Sequence, residues 1–133
     1  MAAVIEWKEI EKKYNGKKIM EHFSLKVEEG EFLTIIGSSG CGKTTMLKMV
    51  NGLIRPDAGN VMIKGKDIAD IDLIELRRSI GYSIQGNVLF PHMTVEENIS
   101  YVPNLWNRRD KEKTRKAVSR WMKIVGLSDD MRD

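Results

Sequence analysis

Phe32-Leu33-Thr34-Ile35-Ile36-Gly37-Ser38-Ser39-Gly40-Cys41-Gly42-Lys43-Thr44-Thr45 is the stretch that decides how this chain folds. An apolar run passes straight into the spacing Gly-x-x-x-x-Gly-Lys-Thr, the pattern of a buried strand that feeds a phosphate loop. Glycines at 37, 40 and 42 remove side chains that would hold the backbone off a polyphosphate. The N–H groups from Gly37 through Ser38, Ser39, Gly40, Cys41 and Gly42 can then converge on its oxygens. Lys43 supplies a point charge for the β- and γ-phosphates, and the Thr44 hydroxyl a Mg²⁺ ligand. Thr45 adds a hydroxyl on the α-phosphate side, whereas Cys41 sits where only the backbone binds. Met46, Leu47, Met49 and Val50 give the next segment an apolar helical face, and Asn51-Gly52 stops it. The helix aims its positive end at the same anion. A glycine-rich turn before an ordinary helix would not require both flanking elements at this spacing, so nucleoside triphosphate binding is expected.

With 133 residues, 41% of them hydrophobic, the chain holds one domain's worth of core. Its 22 Lys plus Arg against 19 Asp plus Glu are interspersed, which leaves a net charge of only +3. The basic pairs Lys12-Lys13, Lys17-Lys18, Arg77-Arg78 and Arg108-Arg109 lack interleaved aromatics for base stacking, so no nucleic-acid partner is expected. Cys41 is the single cysteine and cannot form an internal disulfide, which suits an intracellular setting. No apolar run approaches the roughly 18 residues of a membrane span. Glu6 and Lys8 interrupt the N-terminus before a signal-peptide core could form. Any membrane role would go through a partner.

Val4 to Tyr14 reads as a strand, followed by an Asn15-Gly16 turn and a second strand over Phe23 to Val27, where apolar and polar residues alternate. Beyond the first helix, Arg55 to Gly59 forms a loop and Asn60 to Ile63 a short strand. Asp72 caps a short helix to Arg78, Ser79 to Ile84 reads as another strand, and Gln85-Gly86-Asn87 as a loop. Thr94 and Glu97 form a capping box at the start of a helix. The stretch Tyr101 to Arg109, interrupted by Pro103, is expected to be irregular. Asp110 caps a helix to about Val125 with Ala117, Val118, Trp121, Met122 and Val125 on its apolar face, stopped by Gly126.

The loop alone would fit GTPases, kinases, helicases and transport ATPases. Three further stretches narrow the choice. These are Lys13-Tyr14-Asn15-Gly16, the run Gly81-Tyr82-Ser83-Ile84-Gln85, and Leu89-Phe90-Pro91-His92-Met93-Thr94-Val95-Glu96-Glu97-Asn98-Ile99. Together they resemble the ATP-binding subunit of an ATP-binding cassette (ABC) transporter over about residues 4–127, and look most like those of bacterial osmoprotectant importers for glycine betaine, choline and related quaternary amines. The resemblance implies an α/β fold of the P-loop nucleoside triphosphate hydrolases: antiparallel strands, a P-loop core and the start of a helical subdomain. Residues 1–88 would form the nucleotide core with Walker A and Q-loop, and 89–133 the start of the helical subdomain.

By the same resemblance Tyr14 stacks on adenine, Gln85 reaches Mg²⁺ and the attacking water, and the region around Phe90-Pro91-His92-Met93 meets a membrane permease. The plain alternatives are a strand-end aromatic for Tyr14 and a solvated loop amide for Gln85. His92, though of a type that titrates near neutrality, belongs to the permease-facing stretch. The implied cofactors are ATP and Mg²⁺. The implied partners are a permease and a second ATPase subunit, in a homodimer on the inner face of the cell membrane.

The family pattern continues into a Leu-Ser-Gly-Gly-Gln signature, an apolar strand ending in Asp-Glu and a switch histidine, none of which occurs before Asp133. The chain therefore looks like the N-terminal part of the domain, with no catalytic residue of its own. The parent would hydrolyse ATP, while these 133 residues alone would hold nucleotide without turnover. In the family's parallel sheet the later strands lie between the loop's strand and the strand ending at Gln85. Apolar surface and strand edges would then be left open. A non-transport ABC ATPase acting on nucleic acid or the ribosome, and a nucleotide-binding module without turnover, are the alternatives.

Overall fold

The turn Asn15-Gly16 takes positive φ at both residues, 49° and 78°, as a type I′ turn requires, and it folds the first strands back on each other. In the structure, a computed structural model that describes residues 3–86, 88–107 and 110–133, β1 spans Ala3–Tyr14 and β2 spans Lys17–Glu28. Asn87 of the expected loop and the basic pair Arg108-Arg109 lie outside the described residues. The chain forms two compact units, Met1–Tyr82 and Ser83–Asp133.

In the first unit β1 pairs antiparallel with β2 on one side and with β3 (Ala58–Ile63) on the other, and β3 pairs with the short β4 (Lys66–Asp67), giving the order β2-β1-β3-β4. Trp7, Ile10 and Val61 point from this sheet onto Met46, Met49 and Val50 of α1 (Lys43–Val50). These side chains are almost completely removed from water, and Phe23 meets the Trp7 ring edge-on at 6.4 Å. The sheet thereby holds the helix that follows the phosphate loop. Helix α2 (Leu73–Ser79) is capped by the Asp72 carboxylate, which accepts from Ile74 N and Glu75 N. Arg77 on α2 then donates to the carbonyls of Asn51 and Gly52, satisfying the C-terminal end of α1.

The second unit pairs α3 (Val95–Asn107) with α4 (Lys111–Val125). Thr94 and Glu97 form the reciprocal capping box: Glu97 N donates to Thr94 Oγ1 at 3.2 Å, and Thr94 N donates to Glu97 Oε2 at 2.9 Å. Asp110 caps α4 through Lys113 N, and Gly126 ends it.

Four sequence expectations are corrected. Phe32 to Ile36 is not a buried strand: it joins no ladder, with Phe32 93% and Ile36 91% exposed. Ser79 to Ile84 likewise forms no strand, because Ser79 ends α2 and the residues after it pair with nothing. Both corrections have one cause, since a strand requires a hydrogen-bonding neighbour and none lies beside either segment among the described residues. The stretch from Tyr101 is not irregular, for α3 runs through Pro103 to Asn107. On α4, Trp121 and Val125 are exposed, and the buried stripe is Thr114, Val118 and Met122.

Candidate nucleotide-binding site

The loop before α1 curls on itself, with Cys41 N donating to Ser38 O at 3.3 Å. Gly42 stands at the N-cap of α1 with φ 102° and ψ 2°, a left-handed conformation that a residue with a Cβ enters only under strain. Its neighbours crowd the same position. A Cβ there would stand 2.8 Å from Ile19 Cγ2 and 3.1 Å from Met20 Cε, so β2 crowds the loop from one side. A Cβ on Gly37 would likewise stand 2.6 Å from Cys41 Sγ. No side chain caps α1 and its first turn holds no acidic residue. Its first N–H groups are therefore left to an external acceptor.

Lys43 completes the constellation by turning back over the loop. Its Nζ donates to Gly37 O at 2.6 Å and to Ser38 O at 2.7 Å, and lies 3.5 Å from Cys41 Sγ. The ammonium is thus tied to the same bare backbone whose N–H groups suit an anion. Ser38, Ser39, Gly40, Cys41 and the Thr44 hydroxyl-bearing side chain are exposed, and Thr45 is half-buried. Among the described residues no group of three or more His, Cys, Asp or Glu could hold a metal ion. The donors at hand are a hydroxyl and backbone, which fits Mg²⁺ held jointly with phosphate oxygens rather than in an all-protein cage.

Tyr14 ends β1 and is 42% exposed. It pairs with Lys17 across the turn, two residues before the Ile19 that packs on Gly42, so the hairpin's tip and the phosphate loop share one end of the unit. Lys12 Nζ lies 5.5 Å from the Tyr14 ring centroid. The same ammonium donates to Asp57 Oδ1 at 2.8 Å, and it holds the Asp57 carboxyl below the usual carboxylate range with help from Lys13 N. Gln85 and His92 are exposed residues of the second unit. The structure brings Gly37 to Lys43 together with β2, places Tyr14 at the same end, and leaves Gln85 in the other unit.

Residues that the sequence did not single out include Ile19, which walls the loop, and the Lys12–Asp57 pair. Asn98 is another. Its side-chain amide bonds to Phe90 N and O, Met93 O and Thr94 O. Its position one turn into α3, after a capping box, was the available signal; nothing local links Lys12 to Asp57.

The family described as ABC transporter matches residues 20–133. The chain belongs to the ABC transporter family. This ABC chain is 47% identical over 118 residues to the choline transport ATP-binding protein OpuBA of Bacillus subtilis (strain 168), covering 89% of itself and 31% of that protein. To the carnitine transport ATP-binding protein OpuCA of Listeria monocytogenes it is 43% identical over 133 residues, covering 98% of itself and 33% of the relative. It thus spans about a third of the length of the curated relatives it matches. Among solved structures it superposes with a TM-score of 0.85 and 25% identity on cbiO1 from Clostridium perfringens, part of the ABC transporter complex cbiONQ, covering 100% of this chain and 54% of that one. The expected ABC ATPase fold and the likeness to osmoprotectant importers are both borne out, and the nucleic-acid alternative is not favoured. No helix among the described residues is long and apolar enough to cross a membrane.

Proposed function

We propose that this chain is the front part of the ATP-binding subunit of an importer for glycine betaine, choline or a related quaternary amine. Residues 1–88 serve as the nucleotide core and 89–133 as the start of the helical subdomain. The observation that carries the reading is the phosphate loop itself: a backbone stripped of side chains by Gly37 and Gly42, an uncapped helix start, and Lys43 anchored at its rim. The choice of solute is supported by the names of the relatives, two of which are choline and carnitine transport proteins.

In this reading the N–H groups from Gly37 to Thr45 and the Lys43 ammonium bind the triphosphate, and the Tyr14 ring stacks on the base. The Thr44 hydroxyl would hold Mg²⁺; Gln85, the second ligand that the family resemblance implies, belongs to the other unit. When bound, the ion neutralises charge on the phosphates. The chain's own part is binding and orientation. The parent hydrolyses ATP with groups supplied by later segments and by a second ATPase subunit. It lies on the inner face of the membrane, docked to a permease through the region around Phe90 to Met93.

Lys43→Ala tests the site. Loss of a charge-assisted contact forfeits about 1.5–3 kcal/mol, a ten- to hundredfold fall in MgATP affinity by titration calorimetry. Equal affinity in wild type and variant would refute the site. Uptake of labelled betaine at high salt tests the solute: deletion of the gene from a strain without other betaine importers should abolish it, and unimpaired uptake would overturn that assignment.

A further inference from the structure

We infer that Lys12 is a positioning residue for Tyr14, holding one face of the ring so that the other is presented to the nucleotide base. The inference rests on the base-stacking reading of Tyr14 given above.

The Lys12 side chain is only 13% exposed, unusual for a lysine near a strand end, and its ammonium has defined partners. It donates to Arg55 O at 2.9 Å and to Asp57 Oδ1 at 2.8 Å, with the Tyr14 ring centroid 5.5 Å away. Asp57 is itself fixed to β1 at two further points: its Oδ2 accepts from Lys13 N at 2.8 Å, and its own N donates to Glu11 O at 2.9 Å. The turn from Arg55 to Asp57 is therefore stitched to the residues that immediately precede Tyr14.

Lys12 and Tyr14 are two residues apart on a strand, so their side chains leave the same face. Tyr14 is the last residue before a two-residue turn, and its ring is 42% exposed. The ammonium lies over one face of that ring. A cation is drawn to the negative face of an aromatic ring. It also withdraws density from the opposite face, which suits stacking by an electron-rich purine. Asp57 matters because it prevents Lys12 from swinging into solvent.

The discriminating measurement is the ratio of MgATP affinity to Mg-tripolyphosphate affinity, since tripolyphosphate uses the phosphate loop and has no base. Lys12→Met and Asp57→Asn should each lower this ratio by about twofold to fivefold, the scale of an exposed cation–π contact. Tripolyphosphate binding should stay unchanged, which also reports that the variants fold. Lys12→Arg should restore the ratio, and Lys12→Met should add nothing in a Tyr14→Ala background. If Tyr14→Ala lowers the ratio while Lys12→Met leaves it unchanged, or weakens both ligands equally, Lys12 only braces the turn and the inference is overturned. If Tyr14→Ala itself leaves the ratio unchanged, base stacking fails and the inference fails with it.

Discussion

Asn98 and Phe90 are bound to each other twice: Phe90 N donates to Asn98 Oδ1 at 2.8 Å, and Asn98 Nδ2 donates to Phe90 O at 3.1 Å. The same Nδ2 also reaches Met93 O and Thr94 O, so one half-buried amide closes the loop before α3. Asn98→Ala should destabilise the second unit by about 1–3 kcal/mol, because several backbone groups lose a partner at once. Denaturant unfolding followed by Trp fluorescence would measure it. If the loop docks a permease, the variant should lose transport while MgATP affinity is retained.

The first atom that a side chain on Gly37 would meet is a single sulfur, Cys41 Sγ, at 2.6 Å. Gly37→Ala should therefore weaken MgATP binding, and Cys41→Ala introduced beside it should recover most of the loss. Cys41→Ala alone should change little, since the Lys43 ammonium keeps both carbonyl partners without the thiol. Calorimetric titration of the three variants checks all of this, and a large loss from Cys41→Ala alone would contradict it.

Asp57 carries a lowered pKa, caused first by the Lys12 hydrogen bond and then by Lys13 N. In acid the folded chain then binds fewer protons at Asp57 than the unfolded chain does, so stability rises with pH there. The clasp's contribution is complete above the ordinary aspartate range and is lost as pH falls through that range toward the lowered folded value. Unfolding measured across this window should show a shallower acid slope for Asp57→Asn than for wild type. Identical slopes would mean that the pair is not formed in solution.

Removal of the capping box should be felt locally. Thr94→Ala leaves Glu97 N without its side-chain acceptor and should cost about 1 kcal/mol. Hydrogen exchange should accelerate in the first turn of α3 and remain unchanged in α1.

Elements fixed by neighbouring residues were legible in the sequence. The carboxylates of Asp72 and Asp110 start α2 and α4, and Thr94 with Glu97 starts α3, as expected from side chains next to the backbone they cap. Elements that depend on distant partners were not. Phe32 to Ile36 has the composition of a strand, yet composition cannot supply a neighbour to pair with. Pro103 misled for a related reason. Loss of its N–H costs a helix about 3 kcal/mol, but Ile99, Pro103 and Asn107 form the half-buried stripe of α3, and Asn107 reaches Thr114 of α4. Packing against α4 outweighs the missing bond. In the site, the phosphate loop was readable because its residues are consecutive. Ile19 and the Lys12–Asp57 clasp were not, because they meet only after the sheet forms.

The tight turn at Asn15-Gly16 bears on the order in which the molecule assembles. Hairpins closed by two residues form within about 1–10 μs. The union of β1 with β3 must bring together partners as far apart in sequence as Ile5 and Ile63, and loop closure of that kind is slower and entropically dearer. The hairpin carrying Tyr14 and Ile19 is therefore expected to close before β3 docks on β1. One wall of the nucleotide site is thus built from the most local contacts of the sheet, and Gly16→Val, which forces a β-branched residue to φ 78°, should both slow closure of the hairpin and lower the final stability of the site.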